Sequence, residues 1–133
     1  MPAVIEDTHA LIWYLADSPR LSARASSYLR QCTAASATIG ISSISVVEIV
    51  YLVEKGRIPP LALSMLRENL AQEPEVLEIV PVTYSIAHAV QQVPRAQVPD
   101  LPDRIIAATA LHLGVPLVSR DAKIRASDVQ TVW

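Results

Sequence analysis

The stretch 100–124, which decides the fold, reads DLPDRIIAATALHLGVPLVSRDAKI. Its first half places apolar residues at helical spacing over Pro102–Leu113, and Gly114 follows where a helix commonly ends. The apolar run Pro116–Ser119 then has the character of a short buried strand. A helix, a tight turn and a buried strand in this order are typical of a parallel sheet that is covered by helices.

The same alternation of strand-like and helix-like segments continues along the rest of the chain. Strands that are separated by helices imply parallel pairing through right-handed crossovers. We therefore expect an α/β fold, an α/β/α sandwich with a central, mainly parallel sheet, as a single domain over residues 1–133. The predicted strands are Ala3–Glu6, Ile39–Ser42, Leu77–Val82, Pro116–Ser119 and Val129–Val132, and the predicted helices are Thr8–Ala16, Ser22–Cys32, Ser45–Lys55, Leu61–Gln72, Ser85–Gln91, Pro102–Leu113 and Asp121–Ala126.

The composition excludes several classes of protein. No run of about 18 uncharged apolar residues is present, so we expect no membrane-spanning helix, and the first residues lack the basic start of a signal peptide. Cys32 is the only cysteine, which excludes a disulfide within the chain and a cysteine-based zinc site. The 3 glycines cannot build a P-loop or a dinucleotide-binding loop. A cytoplasmic protein is the expectation that remains.

Four carboxylates fall where the predicted strands end and the next helices begin. Asp7 ends the first strand and Asp121 follows the fourth, while Glu48 and Asp103 are expected in the first turns of their helices. Because ligands of open parallel sheets bind beyond the carboxyl ends of the strands, these four side chains should collect at one edge. Their mutual repulsion would be removed by hard divalent cations, which prefer oxygen ligands. An acid cluster without a His or Cys cage favours Mg²⁺ or Mn²⁺ over zinc.

Each acid also has a purely structural interpretation. Ser45-Val46-Val47-Glu48 fits the S-x-x-E capping box. Asp103 could act in a similar way with Asp100, and Asp7 and Asp121 could be simple helix N-caps, each worth about 1 kcal/mol. Helix caps do not need to lie close together, whereas metal ligands do. The positions of the four acids in the fold therefore distinguish the capping interpretation from the metal-site interpretation.

Three motifs together resemble the PIN-domain family and, within it, the VapC-type toxins. They are IEDTHALIWYL near the N-terminus, SSISVVEIVYLVEKGRI in the middle and DLPDRIIAATALHLGVPLVSRDAKI near the end, so that the resemblance runs from about Ala3 to Val132. It implies a metal-dependent ribonuclease, a hydrolase that cuts RNA phosphodiester bonds with Mg²⁺, or Mn²⁺, as the cofactor. It further implies that this enzyme is the toxin of a toxin–antitoxin pair. DNA and structured RNA remain open as substrates.

The resemblance implies that the family's four acids correspond, in chain order, to Asp7, Glu48, Asp103 and Asp121. These residues would be both catalytic residues and metal ligands.

The resemblance further implies supporting roles for residues next to these acids. The hydroxyls of Thr8 and Ser119 would support the acids from behind, and Asp100 matches an acid often present ahead of the third one. Arg120 and Lys123 flank the fourth acid and are candidate phosphate contacts. An ordinary solvated surface is the alternative for these two cations.

The expected partners are RNA and a cognate antitoxin protein, which would occupy the nuclease with a basic residue near the acids. The resemblance also implies a homodimer, formed through the helices around Glu48–Gln72, where Val50, Leu52, Leu63 and Leu66 need cover. The competing hypothesis is a non-catalytic PIN domain that binds RNA or a protein. A phosphatase of the Asp-x-Asp type is not favoured, because Thr8 and His9 follow the first acid.

Three further residues have weaker functional signals. Trp13 lies on a helix that is apolar almost all round, which predicts a core position or a groove for a partner. No aromatic run marks a base-stacking surface. His9 is close enough to the first acid in sequence to lie near the site, and Arg104 is predicted to form a structural ion pair.

Overall fold

A computed structural model describes all 133 residues. Every predicted strand and helix is present, with small shifts at the ends. The strands are β1 Pro2–Glu6, β2 Thr38–Ser42, β3 Leu77–Val80, β4 Leu117–Val118 and β5 Thr131–Val132, and the helices are α1 Thr8–Leu15, α2 Ala23–Ala34, α3 Ser43–Glu54, α4 Leu61–Leu70, α5 Tyr84–Ala89, α6 Leu101–Leu113 and α7 Ala122–Arg125, with a 3-10 turn at Val90–Gln92.

The five strands form one sheet in the order β3-β2-β1-β4-β5. Every neighbouring pair is parallel, which confirms the predicted parallel sheet. Strand β1 lies at the centre and pairs with β2 on one side and β4 on the other. Because all strands run in the same direction, the residues that follow their carboxyl ends emerge at one edge of the sheet.

Helices cover both faces of the sheet, as expected for an α/β/α sandwich. Successive residues of a strand point to opposite faces, and Val4 and Ile5 of β1 accordingly belong to two separate cores. The first core includes Leu11 of α1, Leu29 of α2, Ile49 of α3 and Leu66 of α4. The second includes Ile86 of α5, Ile106 of α6 and Ile124 of α7. Burial on both faces explains why the strands consist mainly of apolar residues.

Gly40 lies where β1 and β2 approach closely. A Cβ atom at this position would lie 2.7 Å from Cδ1 of Ile5 and 2.9 Å from Cβ of Pro2. These distances are shorter than van der Waals contact, so only glycine fits without displacing the central strand.

Helix α3 begins at Ser43, earlier than the predicted Ser45. Ser42 is its N-cap, and its hydroxyl accepts a hydrogen bond from the amide of Ile44 at 3.2 Å. Ser45 is a buried residue within the helix, so the predicted capping box is wrong. Glu48 therefore lies in the second turn of α3, contrary to the prediction of the first turn. The reason is that three serines compete for the cap, and the serine that ends β2 has the extended backbone which an N-cap requires.

The apolar residues on α3 and α4 differ from the expectation for a dimer surface. Leu66 belongs to the core and Leu52 and Leu63 are half-buried, which leaves Val50 as the exposed member of the predicted set. The large apolar residues that are exposed on these two helices are Val47, Val50, Tyr51 and Leu61.

No helix combines the length and the hydropathy that crossing a bilayer would require.

Candidate active site

A cavity of about 660 Å³ opens beside the residues that follow β1 and β4. Five carboxylates line it, and two cations lie at the same cavity. All four predicted acids therefore converge, as the parallel topology requires. We call this space the acidic cavity; its carboxylates are Asp7, Glu48, Asp100, Asp103 and Asp121, and its cations are Arg120 and Lys123.

Asp7 follows the central strand and caps α1. Its Oδ1 accepts a hydrogen bond from the amide of Ala10 at 2.8 Å. Burial raises the pKa of Asp7, and the charge of Asp121 raises it further, whereas a hydrogen bond from Ser119, the amide of Ala10 and the charge of His9 act in the opposite direction. Asp7 is thus both an N-cap and a member of the acidic cavity.

Asp121 follows β4 and caps α7 in the same way. Its Oδ1 accepts from the amides of Lys123 at 2.9 Å and Ile124 at 3.0 Å, which leaves Oδ2 without a protein donor. The amide of Asp121 donates to the Ser119 hydroxyl at 3.1 Å. Ser119 is fully buried, and its hydroxyl is close enough to Asp7 to lower the pKa of that carboxyl group. Ser119 therefore links the two acids at the ends of adjacent strands.

Glu48 reaches the acidic cavity from α3. The Thr8 hydroxyl donates to its Oε1 at 2.5 Å, and Oγ1 of Thr8 lies 3.0 Å from the hydroxyl of Ser45. Burial raises the pKa of Glu48, and the bond from Thr8 partly offsets this effect. The charge of Asp100 raises the pKa further. Thr8 and Ser45 are buried and therefore fix the position of this carboxylate.

Asp103 carries the clearest sign of charge crowding. Asp100 is the N-cap of α6, and its Oδ2 accepts from the amide of Asp103 at 3.1 Å. Burial raises the pKa of Asp103 to about 7, with further contributions from Asp100, Asp121, Glu48 and Asp7 in that order. Four like charges thus act on one carboxyl group.

The donor set of the acidic cavity fits a hard divalent cation, because it consists of carboxylate oxygens whose repulsion such an ion would relieve. No three His, Cys, Asp or Glu side chains are arranged as ligands of a single ion. The chemistry of the side chains thus fits a hard divalent cation, and their arrangement is not that of a complete ligand set.

One wall of the acidic cavity is aromatic. His9 lines it, in agreement with its predicted place near the site, and Trp13 lines it too. Trp13 is half-buried, which contradicts the predicted core position and leaves the alternative of a groove for a partner. The two residues are four apart on α1, a spacing that places side chains on one face of a helix. This spacing is the signal that could have identified them. The guanidinium of Arg120 lies 5.7 Å from the centre of the Trp13 ring.

Arg104 lies outside the cavity lining and forms no ion pair, so that prediction is wrong. Its Nε donates to the carbonyl of Val93 at 2.9 Å and its Nη2 to the carbonyl of Val90 at 3.1 Å. Arg104 therefore anchors the start of the loop 93–100, which carries Asp100 to the cavity. The carbonyl of Val90 also accepts from the amide of Val93 at 3.0 Å, whereas the carbonyl of Val93 lies beyond the 3-10 turn and takes its donor from the guanidinium.

Glu6 is a buried carboxyl group that the sequence analysis did not single out. It precedes Asp7, is fully buried and has no hydrogen-bond partner at either carboxylate oxygen. Burial, with a smaller effect of the Asp7 charge, raises the pKa of Glu6 to about 8. Its side chain does not line the acidic cavity.

Known proteins resemble this chain over almost its whole length. The family model described as PIN domain matches residues 4–129. Ribonuclease VapC22 from Mycobacterium tuberculosis is 33% identical over 126 residues, which are 95% of this chain and 92% of the relative.

Two solved structures have the same fold. The structure of DNA-bound VapBC from Salmonella typhimurium has a TM-score of 0.73 at 21% identity and covers 98% of this chain and 97% of that chain. The toxin-antitoxin complex from Klebsiella pneumoniae has a TM-score of 0.62 at 22% identity, with 98% and 96% covered.

Proposed function

We propose that the chain, which belongs to the PIN domain family, is a metal-dependent endoribonuclease and the toxin of a type II toxin–antitoxin pair. The observation that carries the proposal is the convergence of five carboxylates in one cavity beside the ends of β1 and β4. The relative from Mycobacterium tuberculosis is named a ribonuclease, and this supports RNA as the substrate.

Asp7, Glu48, Asp103 and Asp121 are the catalytic residues and metal ligands of this proposal. Bound Mg²⁺ or Mn²⁺ would lower the pKa of a water molecule and neutralise the charge that builds on the phosphoryl oxygens. The chain itself supplies the oxygen donors, and neighbouring side chains and backbone amides hold these donors in position. The positioning contacts are those of Thr8 with Glu48, Ser119 with Asp7 and Asp121, and Asp100 with the amide of Asp103.

Lys123 and Arg120 are the proposed phosphate contacts, because they are the cations at the acidic cavity. They are outnumbered by the five carboxylates, so the empty cavity would repel a phosphodiester. Binding of RNA is therefore expected to depend on divalent cations as strongly as cleavage does.

The decisive experiment is cleavage of labelled RNA by the purified protein with Mg²⁺, with Mn²⁺ and with EDTA. Asp103→Asn should reduce the metal-dependent rate by at least about 100-fold, since it removes one anionic ligand from the transition state. The matched control is Asp128→Asn, the same change at an exposed residue outside the cavity, and it should cleave at the original rate. Full activity of Asp103→Asn would contradict the assignment, and equal activity in EDTA would indicate a contaminating nuclease.

The alternative, a non-catalytic PIN domain that binds RNA or a protein, is distinguished by the same experiment. It predicts no cleavage with any metal and no shift of the melting temperature on adding Mg²⁺ or Mn²⁺. No specific observation favours it, because none of the four acids is missing from the cavity.

The proposed partner is an antitoxin whose basic side chain enters the acidic cavity. The toxin-antitoxin complex from Klebsiella pneumoniae has the same fold, and an excess of carboxylates is complementary to an arginine or lysine. We also propose a homodimer through the exposed apolar residues of α3 and α4, which are Val47, Val50, Tyr51 and Leu61.

A further inference from the structure

We infer that the aromatic wall of the acidic cavity is a stacking site for an unpaired nucleobase of single-stranded RNA. The aromatic cluster consists of His9, Trp13 and Trp133, with the guanidinium of Arg120 above it. The inference rests on the proposed function, and it extends that function by naming the part of the RNA that this side of the cavity binds. The base would belong to a nucleotide next to the phosphodiester that the acids hold.

The aromatic cluster holds Trp13 in a fixed position beside the acids. The rings of His9 and Trp13 have centroids 5.8 Å apart, and those of Trp13 and Trp133 are also 5.8 Å apart. Both pairs are tilted, a favourable geometry for aromatic rings. Trp133 packs at the edge of the first core and lies outside the cavity lining. It therefore supports Trp13 from outside the cavity that Trp13 lines.

The aromatic cluster is continuous with the acidic site. His9 belongs to the same cavity as Asp7 and Glu48 and is close enough for its charge to lower the pKa of both. The cavity, at about 660 Å³, falls within the range of about 300–1,000 Å³ that small-molecule ligands occupy. It can therefore take a nucleotide, with its phosphate toward the acids and its base toward Trp13.

The chemistry of this wall selects a base over a phosphate or a sugar. Most of the residues that line the cavity are polar or charged, and Trp13 is the large aromatic surface among the others. A half-buried indole offers no charge to a phosphate, but it offers a flat apolar face to a base. Proteins that bind single-stranded RNA stack unpaired bases on aromatic rings and on arginine guanidinium planes. Trp13 and Arg120 supply one surface of each kind.

Arg120 is positioned to form the second face of the stacking site. Its guanidinium lies 5.7 Å from the Trp13 ring centre, and its side chain is exposed and forms no hydrogen bond or ion pair with the protein. Little therefore opposes its movement away from the ring. A base that enters between the two groups would stack on indole and guanidinium together.

The chain contains 2 tryptophans, Trp13 and Trp133, and both belong to the aromatic cluster. Its tryptophan fluorescence, excited where tyrosine does not absorb, therefore reports on this site alone. We would titrate the Asp103→Asn variant, in which cleavage is suppressed, with RNA homohexamers in Mg²⁺. In parallel, hexamers with one abasic nucleotide at each position in turn would retain every phosphate and lose one base.

We expect the intact hexamers to quench the tryptophan fluorescence. Removing the base at one position should weaken binding by roughly 5- to 100-fold, the size of one stacked base, and should abolish the quenching. Adding Trp13→Leu should weaken binding of the intact hexamer by a similar factor and leave the abasic hexamer unchanged. Trp13→Phe, which retains an aromatic face, should keep most of the discrimination between intact and abasic RNA.

The inference is overturned if no abasic position matters, or if Trp13→Leu weakens intact and abasic hexamers equally. The second result would identify Trp13 as a structural residue. Unchanged RNA affinity in a folded Trp13→Leu variant would also overturn the inference, and it would indicate that the aromatic wall binds a protein partner instead of a base. If Trp13→Leu does not fold, the affinities of the abasic hexamers and of the Trp13→Phe variant still test whether a base stacks on Trp13. Failure of the nuclease proposal is separate, since it would appear as absent cleavage by the unmodified chain while base discrimination persists.

Discussion

Replacement of Glu6 by glutamine is expected to stabilise the protein, and the gain should increase with pH. Glu6 is fully buried and neither carboxylate oxygen has a partner. Burial, and to a smaller extent the charge of Asp7, raises its pKa from 4.5 to about 8. Between these two values the folded protein keeps a proton that the unfolded chain has released. The folded state therefore loses stability as the pH rises through this window.

The magnitude follows from the two pKa values. One pKa unit corresponds to about 1.4 kcal/mol, so that Glu6 lowers the free energy of unfolding by about 3 kcal/mol at pH 7 and by about 1 kcal/mol at pH 5, relative to strongly acidic solution. The glutamine side chain has nearly the same shape and does not titrate, so Glu6→Gln should regain these amounts. A gain of about 3 kcal/mol is large beside a typical domain stability of about 5–15 kcal/mol.

Urea unfolding at pH 5 and pH 7, in EDTA so that no metal alters the neighbouring acids, measures the difference. The control is Glu68→Gln, an exposed carboxylate on α4, which should change the stability by less than about 0.5 kcal/mol. An equal gain from Glu6→Gln at both pH values would refute the reasoning. A loss of stability at pH 7 would refute it too, because it would mean that Glu6 is ionised and paired in the folded protein.

Four further outcomes are expected. Gly40→Ala should cost about 1–3 kcal/mol in urea unfolding, because its methyl group would overlap the central strand. Arg104→Met should increase proteolytic cleavage within the loop 93–100 while the thermal transition stays cooperative, since only the anchor of that loop is lost; unchanged proteolysis would contradict the anchoring role. Asp103→Asn should raise the melting temperature in EDTA at pH 8, because burial and four neighbouring acids disfavour the ionised carboxylate; saturating Mg²⁺ should cancel this advantage. Tyr51→Glu should shift sedimentation toward the monomer, and an unchanged dimer would exclude the α3–α4 surface.

The sequence was sufficient to predict the fold because each level of the pattern agrees with the others. The apolar run Pro116–Ser119 follows a helix that ends at Gly114, and the structure places Gly114 in the left-handed conformation at φ +68°. Buried strands alternating with amphipathic helices permit few arrangements other than a parallel sheet covered on both faces. The sequence did not determine the bounds of every element. Helix α3, for example, starts at Ser43, because the first of several serines that can cap it, Ser42, is the N-cap.

The contribution of Trp133 to the aromatic cluster could not be predicted, because this residue is distant in the sequence from the other two members. Trp133 lies 120 positions from Trp13, and only the packing of the segment after β5 against α1 brings their rings together. The apolar character of α1 also concealed the orientation of Trp13, since a helix with apolar residues on all sides does not reveal which side faces a cavity. The burial of Glu6 could not be predicted either, because the sequence does not show to which side of the sheet its side chain points. Successive residues of a strand point to opposite faces, and the side chain of Glu6 points away from the cavity that Asp7 lines.

The structural and functional interpretations of the acids proved to be compatible for three residues. Asp7, Asp100 and Asp121 are N-caps of α1, α6 and α7, and all three also line the acidic cavity. The topology explains why. Helices α1 and α7 begin just beyond the carboxyl ends of β1 and β4, so their caps lie at the same edge of the sheet, and the loop 93–100 brings the cap of α6 to that edge. A capping aspartate uses one oxygen for the helix, as Oδ1 of Asp121 does, and keeps the other for a ligand. Capping thus fixes these three carboxylates at the acidic cavity, where the proposed metal would bind.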